Sequence, residues 1–307
     1  MRTIDPNGKY CFVFSRYEEP VAKVELGEEI TLLTEDAYSS LIQSENDNLA
    51  EIRRKRKGPN PQTGPLYIEG AEAGDTLKVH IIDIEPGRDW AVSNIHSFFG
   101  GLTPNKFTRM INVPFNDRIY IYRFDKEGMM RHDDFLRFPW KPFMGTIATA
   151  PPMEAISTAT PFEHGGNMDC PDVKPGNIIY LPVAVDGAYF FTGDCHAAQG
   201  EGELCGTALE ITAKVKLKFE VIKGKQITWP RIESPDEYMV VGSARPMEDA
   251  ARIAYAELIE WMTEFGWDKM DAYQALTHAG KLYCANMVDP NYSMVAKVSK
   301  SLAERRL

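Results

Sequence analysis

Residues 193–203, GDCHAAQGEGE, gather three acids, an imidazole and a carboxamide in one short segment. If Asp194 and His196 lie in extended chain, their side chains point to the same face, because side chains alternate along a strand. Carboxylate oxygens and an imidazole nitrogen placed together suit Zn²⁺ or a harder divalent ion. The segment therefore predicts a metal site that includes Asp194 and His196. Cys195 would face the opposite side, as a small buried hydrophobe.

Glu201 and Glu203 follow in the same segment and also share a face, with glycines that permit a tight turn. A bound ion would lower the pKa of a water molecule, and either glutamate could move its proton. The spacing does not choose between the two. Because no HExxH pattern is present, the alternatives stay open: His196 as a hydrogen-bonded structural residue, and the glutamates as part of a solvated loop.

A second segment, residues 164–169, HGGNMD, places two glycines ahead of Asn167 and Asp169. Such a turn can expose backbone N–H groups, which can hold an oxyanion or a substrate carbonyl. The alternative is an Asn/Asp turn with a capping role. His96, shortly before Gly100 and Gly101, is predicted at the edge of a pocket, and a purely structural role is its alternative.

The elements that must position these residues are mostly β strands. Runs rich in Val, Ile and aromatic residues predict strands over residues 10–15, 21–26, 30–34, 76–84, 119–124 and 177–182. Residues 207–222 alternate apolar and polar side chains and predict one long strand with one face in water.

From residue 246 the pattern becomes helical. Ala250, Ala254 and Leu258 form part of an apolar stripe, and Asp268 is a predicted N-cap for a second helix over residues 271–279. A third helix is predicted over residues 293–305. The fold class is therefore mainly β (α+β): a β-sandwich body over residues 1–240, with a helical segment over residues 241–307 packed on it as part of the same structural unit.

Composition and net charge argue against several classes of function. The net charge of -10 argues against a nucleic-acid partner, and the basic run at residues 53–57 is interpreted as a solvated loop. No window is long and apolar enough for a membrane span, and the first residues lack a signal-peptide pattern. Five widely spaced cysteines without CxxC predict free thiols and a cytoplasmic location.

Several phrases in this order resemble the acetamidase/formamidase family. They are NPQTGP at residues 60–65, YIEGA at 67–71, GDTL at 74–77, GGNMD at 165–169, LPV at 181–183, GD at 193–194, HAAQGEGE at 196–203 and residues 284–290. The resemblance extends from about residue 10 to residue 290. Cys195 stands where relatives often carry Pro, and residues 96–107 align with no family phrase.

That resemblance implies a jelly-roll-like β-sandwich that hydrolyses small linear carboxamides, such as formamide or acetamide, to carboxylate and ammonia. It also implies a divalent metal ion, zinc or calcium, and a homo-oligomer such as a dimer. Carried over by position, Asp194, His196 and Asp36 are the predicted metal ligands. The predicted catalytic residues are Glu201, Glu203, Asn167 and Gly166, and the predicted substrate contacts are Gln199, His96 and Asp169.

Two alternatives remain at this point. One is a non-catalytic ligand-binding sandwich whose acids hold a structural metal. The other is a hydrolase of a different C–N bond, in a cyclic or ureido amide.

Overall fold

Strands account for most of the regular structure in this computed structural model, which describes residues 2–103 and 115–306. In chain order the strands are β1 Arg2–Ile4, β2 Val13–Phe14, β3 Ala22–Val24, β4 Glu29–Thr34, β5 Gln62–Ile68, β6 Thr76–Pro86, β7 Trp90–Ile95, β8 Arg118–Phe124, β9 Met129–Arg131, β10 Arg137–Pro139, β11 Phe143–Ala148, β12 Ile156–Ser157, β13 Gly165–Asn167, β14 Ile178–Pro182, β15 Phe190–His196, β16 Glu210–Ile211, β17 Ala213–Ile222, β18 Arg231–Glu233, β19 Glu237–Ala244, β20 Lys281–Asn286 and β21 Tyr292–Ser299. The helices are α1 Leu49–Lys55, α2 Met247–Thr263, α3 Lys269–Ala279 and α4 Lys300–Ala303, and a 3-10 turn, Glu304–Arg306, follows α4.

Two large mixed sheets form the body. The first has the order β1-β4-β17-β6-β14-β18-β19-β21-β20, and the second has the order β10-β9-β8-β7-β16-β15-β11-β13, with β5 also paired to β15 and to β3. The main core lies between them, because Leu32, Val79 and Leu217 of the first sheet cluster with Met144 and Phe190 of the second. The predicted mainly β sandwich with a C-terminal helical segment is confirmed.

The long strand predicted over residues 207–222 is two strands in different sheets. From Ala213 the alternation holds, with Val215 and Leu217 buried and Lys214 exposed. Before Thr212, however, β16 pairs with β15 and β7 of the second sheet. The prediction of a single strand was wrong because the alternating pattern continues across a change of sheet. As a result, Glu210 is buried in the second sheet instead of facing water.

The C-terminal segment contains helices and strands. Helix α2 buries the predicted stripe of Ala250, Ala254 and Leu258, and α3 begins after Asp268, whose side chain accepts hydrogen bonds from the N–H groups of Met270 and Asp271. The third helix predicted over residues 293–305 was wrong. Residues 292–299 form β21, which pairs along its length with β19, and only the short α4 follows.

Strand β19 runs across the predicted boundary at residue 240. The helices pack on β19 and β21, since Trp261 of α2 clusters with Val240, Ala296 and Val298. The division of the chain into residues 1–240 and 241–307 stays a prediction. Among the described residues, no helix combines the length and the hydropathy that crossing a membrane requires.

Candidate active site

The centre of the second sheet ends in a buried acidic cluster. Strand β15 lies between β11, β5 and β16, and all seven of its residues are buried. Asp194 and His196 lie near its end with their side chains together, since His196 Nε2 is 3.6 Å from Asp194 Oδ2. Cys195 faces the other way, into the main core, where the Thr34 hydroxyl lies 3.5 Å from its sulfur.

Four further carboxylates belong to the same cluster. His196 Nε2 is 3.4 Å from Glu210 Oε2 and 3.9 Å from Asp169 Oδ1. Glu203 and Asp289 complete the cluster through Asn286, whose side-chain amide is 2.9 Å from Asp289 Oδ2 and 3.5 Å from Glu203 Oε2. Each of these side chains is almost fully buried. Distant parts of the chain thus bring five carboxylates and one imidazole to one place.

The positive charge that would balance these acids is missing from the described residues. His196 is the only basic side chain that forms an ion pair with any of the five carboxylates there. Three buried oxygens, Asp169 Oδ1, Asp194 Oδ1 and Glu210 Oε2, have no hydrogen-bond donor within residues 2–103 and 115–306. Buried charge without a partner is strongly unfavourable. The cluster therefore has the charge and the free oxygen atoms that a bound cation requires.

Two sets of ligand atoms lie close enough to share one ion. They are Asp194, His196 and Glu210, and Asp169, His196 and Glu203, each with its ligand atoms within 4.8 Å of one another. Two atoms bound to one Zn²⁺ at about 2.1 Å in a tetrahedral arrangement stand about 3.4 Å apart. The distances of His196 Nε2 to Glu210 and Asp194 are close to this spacing, so the residues present fit a divalent metal.

Gln199 orients the imidazole. Its side-chain nitrogen donates to the carbonyls of Asp169 and Ala285, so its Oε1 is the atom that faces His196 Nδ1, at 2.9 Å. His196 Nδ1 must then carry the proton, which leaves Nε2 as the ligand atom directed at the carboxylates. The ring is also held edge-on by Phe143, with centroids 4.9 Å apart.

Asparagine side chains hold the carboxylates in place. Asn167 donates to Asp169 Oδ2 at 2.9 Å and to Asp289 Oδ2 at 2.6 Å. Asn60 donates to Asp194 Oδ2 at 2.8 Å. Neutral donors of this kind fix the positions of the carboxylate oxygens without cancelling their negative charge. The cluster can therefore still bind a cation.

Burial and mutual repulsion raise the carboxyl pKa values. Burial, and then the charge of Asp194, raise the pKa of Glu210 and of Asp289 to about 7. Burial, followed by neighbouring carboxylates, holds the pKa of Asp169 and of Glu203 well above the usual range. Burial alone would lower the pKa of His196, but Glu210 and Asp194 raise it well above its ordinary value.

The backbone is unusual at three of the acids. Asp169, Asp194 and Glu203 have φ values of 43°, 54° and 48°, in the left-handed region that non-glycine residues rarely occupy. Such conformations cost about 1–3 kcal/mol each and are concentrated at functional sites. At each of these positions the chain adopts the conformation that directs a carboxylate to the cluster.

Gly145, in β11, forms part of the floor of the cluster. A Cβ atom there would lie 2.6 Å from Asp169 Oδ1 and 2.8 Å from His196 Cε1, closer than real Cβ contacts. Glycine is therefore required at this position, because any side chain would displace the carboxylate of Asp169 or the imidazole of His196.

A cavity of about 530 Å³ opens onto the cluster. Asp194, Glu203, Glu210 and Asp289 line it, together with Asn167. Its wall also includes Tyr38, Arg53, Arg56, His96, Phe98 and Phe99. The arrangement joins a buried acidic centre to a space large enough for a small organic substrate.

A family model described as the Acetamidase/Formamidase family matches residues 14–156 and 149–302, which together make up most of the chain. The chain belongs to the acetamidase/formamidase family. It is similar over 99% of its length to a crystal structure of an acetamidase from Yersinia enterocolitica, with 38% identity, 93% of that chain covered and a TM-score of 0.94. An acetamidase structure from Bacillus halodurans is 31% identical, with 99% of both chains covered and a TM-score of 0.90.

Further relatives are more distant in sequence from this chain. An acetamidase of Mycolicibacterium smegmatis is 25% identical over 80% of this chain and 72% of its own length. A formamidase of Methylophilus methylotrophus is 25% identical, with 52% of this chain and 51% of the relative covered. The chain therefore matches about half the length of that formamidase.

In the present chain, most of the predicted site residues lie at the acidic cluster. Asp194, His196, Asn167, Asp169, Glu203 and Gln199 are all there, and His96 lies at the wall of the cavity. Arg53 Nη1 donates to His96 Nε2 at 2.7 Å, and burial, followed by the charge of Arg53, lowers the pKa of His96 to about 4. Residues 104–107 of the unaligned stretch 96–107 lie outside the described residues.

Three predicted residues have other surroundings. Asp36 belongs to neither ligand set: it pairs with Arg88 at 2.6 Å and accepts from the N–H groups of Tyr38 and Ser40. Glu201 is exposed and does not line the cavity. Gly166 lies in β13 opposite Ile147, and a Cβ atom on it would lie 2.3 Å from Thr160 O. The N–H of the neighbouring Gly165 already donates to Phe162 O at 3.0 Å.

The basic run at residues 53–57 is not simply a solvated loop. Its first three residues end helix α1, and Arg53 and Arg56 line the cavity. Asn48 caps the start of this helix, because its side chain accepts hydrogen bonds from the N–H groups of Ala50 and Glu51. The cap sets where the helix starts and therefore where Arg53 and Arg56 lie.

Sequence reasoning missed Glu210, Asp289, Asn286, Asn60 and Gly145 as site residues. Asp289 and Asn60 lie in phrases that carried the family resemblance, and that signal could have identified them. Glu210 and Gly145 gave no local signal, because their roles depend on neighbours in other strands.

Proposed function

We propose that the protein hydrolyses linear carboxamides to a carboxylate and ammonia at the cluster around His196. Family membership supports amide hydrolysis, since the relatives above are named acetamidases and a formamidase. The single observation that carries the proposal is the group of five buried carboxylates and one imidazole beside the cavity.

His196 with Asp194 and Glu210, or with Asp169 and Glu203, would hold a divalent metal. When bound, such an ion would polarise an amide carbonyl and lower the pKa of a water molecule. An imidazole nitrogen among the ligands favours zinc or another nitrogen-binding ion over calcium, which takes oxygen ligands. Asp36 contributes to this site only if its ion pair with Arg88 is broken.

Glu203 is the proposed proton carrier, with the metal held by His196, Asp194 and Glu210. It is buried and lines the cavity, whereas Glu201 is exposed. In hydrolysis the oxygen of water bonds to the acyl carbon, and the carbon–nitrogen bond breaks. The carboxylate of Glu203 accepts a proton from the attacking water and delivers it to the amide nitrogen, which leaves as ammonia. Amide nitrogen is a poor leaving group unless it is protonated, so this transfer is required.

The remaining cluster residues position these groups. Gln199 fixes the tautomer of His196, and Asn167 and Asn286 hold Asp169 and Asp289 by hydrogen bonds. A direct contact of Gln199, His96 or Asp169 with substrate stays a prediction, as does a catalytic role for Asn167 and Gly166.

Metal analysis and ammonia release together test this function. We expect about one equivalent of a divalent metal, because the two ligand sets share His196, and ammonia release from formamide, acetamide or propionamide that a chelator abolishes and added metal restores. A metal that only raises thermal stability, with no ammonia from any amide, would instead support the non-catalytic binding protein. Turnover confined to cyclic or ureido amides would support the other alternative.

The cytoplasmic location and the dimer also stay proposals. All five cysteines are unpaired, which suits a reducing compartment. Sedimentation of the purified protein would measure its oligomeric state.

A further inference from the structure

The cavity is larger than the smallest amides require. A water molecule occupies about 30 Å³ in the liquid, and acetamide is only a few times larger. Its binding would leave most of the roughly 530 Å³ cavity unfilled. Cavities in this size range hold ligands with a substantial body beyond the reacting group. The space points to an acyl chain that continues away from the acidic cluster.

One wall of this space carries a positive charge that has no carboxylate partner in the described part of the chain. Arg56 donates from Nη2 to Ala37 O at 2.7 Å, and its Nε is buried with no acceptor among the residues described. Residues 104–114 contain neither Asp nor Glu. Arg53, the other arginine of the wall, is already paired with Asp117 at 2.7 Å.

Tyr38 contacts Arg56 through its ring and Thr207 through its hydroxyl. The guanidinium carbon of Arg56 is 4.9 Å from the centre of the Tyr38 ring, while the Tyr38 hydroxyl lies 3.2 Å from Thr207 Oγ1. Burial, followed by the charge of Glu210, raises the pKa of Tyr38 to about 12. Arg56, Tyr38 and Glu210 all line the same cavity, so a ligand there can contact Arg56 while its amide group lies at the acidic cluster.

We propose that Arg56 binds a carboxylate at the far end of the substrate, so that the preferred substrates are monoamides of dicarboxylic acids. This inference rests on the proposed amide hydrolysis and specifies its substrate class. Guanidinium groups bind carboxylates strongly and directionally. A carboxylate there would pair with the charge of Arg56, and the aromatic wall of Tyr38, Phe98 and Phe99 would contact the methylene chain.

Matched substrates and variants test this proposal. The monoamides of malonate, succinate, glutarate and adipate are compared with neutral primary amides of equal carbon number. We expect the best acidic amide to be longer than the malonate derivative, because the cavity of about 530 Å³ has room for a chain beyond the amide group. We also expect its kcat/KM to exceed that of its neutral counterpart by about 10-fold or more, as for a hydrogen bond to a charged group.

The variant Arg56→Gln should lower this acidic-to-neutral ratio by about 10- to 100-fold, mainly through KM, because it removes the charge and the fork of donors. Arg56→Lys should retain part of the ratio, since it keeps the charge but not the fork. Arg54→Gln is the control that should leave the ratio unchanged, because Arg54 is exposed and lies outside the cavity wall. Equal loss on acidic and neutral amides, or no preference in the wild-type protein, would overturn the proposal.

Calorimetric titration with glutarate separates this proposal from the proposed function. If no amide releases ammonia, the hydrolase assignment fails, but binding of the dianion to wild-type protein and its loss in Arg56→Gln would still support the Arg56 site. Equal binding by wild-type protein and the variant would contradict it whatever the activity.

Discussion

Glu201 and Glu203 are two residues apart and have opposite surroundings. Glu203 is buried in the cluster with a left-handed backbone, and Glu201 is exposed. Along an extended chain the two side chains would share a face, so alternation cannot separate them. The turn through Gly202, with φ of 84°, is what places only Glu203 at the cavity.

Glu203→Gln should therefore lower kcat for ammonia release by about 100- to 10,000-fold, the range for loss of a general acid–base group. Glu201→Gln is the matched control and should remain within about two-fold, as expected for a surface change. Rates of ammonia release on one amide, with metal content measured in parallel, check both. A larger loss in the Glu201 variant would assign the proton transfer to that residue instead.

Gly145 gives a second prediction at this scale. Gly145→Ala should reduce bound metal and activity by about 10-fold or more, because a Cβ would displace Asp169 or His196 and misplaced ligand shells typically cost that much. Gly200→Ala is the control, since a Cβ there meets nothing within 4 Å. Metal stoichiometry after dialysis provides the measurement. Normal metal content in the Gly145 variant, with the control also normal, would contradict this role.

At the scale of elements, the change of sheet at Thr212 decides the site. Strand β16 belongs to the second sheet and delivers Glu210 to His196, its partner in the register, while β17 continues in the first sheet. Helix α1 has a comparable effect at the cavity wall, since its last turn carries Arg53. Short strands and helices that lack a strong sequence pattern therefore position important residues of the proposed site.

The C-terminal helices give a prediction about stability. Asp268→Ala should destabilise the protein by about 1 kcal/mol, because the side chain accepts from two N–H groups at the start of α3. Asp268→Asn should cost only a few tenths of a kcal/mol, since Asn is an equally good cap. Urea denaturation of the two variants beside wild-type protein measures the difference. Equal loss in both would mean that the charge of Asp268, not its cap, matters.

At the scale of the whole molecule, the acidic cluster couples stability to pH and to metal. Glu210 and Asp289 have ordinary pKa values of 4.5 and 3.8, which folding raises to about 7. The folded state without metal therefore binds more protons than the unfolded state between these values, so its stability falls as pH rises from about 4 to about 7. The raised pKa of His196 acts in the same direction above its ordinary value of 6.5.

We accordingly expect the metal-free protein to have a lower Tm at pH 8 than at pH 5. Added Zn²⁺ should raise the Tm by about 5 °C at a concentration 100 times Kd, from a stabilisation of about 2.7 kcal/mol. The rise should be larger at pH 8, where the carboxylates are ionised. Thermal unfolding of chelated protein, with and without Zn²⁺ at both pH values, tests this. A larger effect at pH 5 would contradict metal binding by these carboxylates.

The sequence by itself determined the β-rich body, the amphipathic α2, the cap of α3 and the segment that carries Asp194, His196 and Glu203. These features are local, since periodicity, caps and glycine turns depend on neighbouring residues. The tertiary structure alone decided that β21 is a strand, that Glu210 enters the second sheet, that Asp36 pairs with Arg88, and that Asp289 reaches the cluster. Each of these depends on pairing between residues far apart in the chain, for which the local pattern of side chains carries no information.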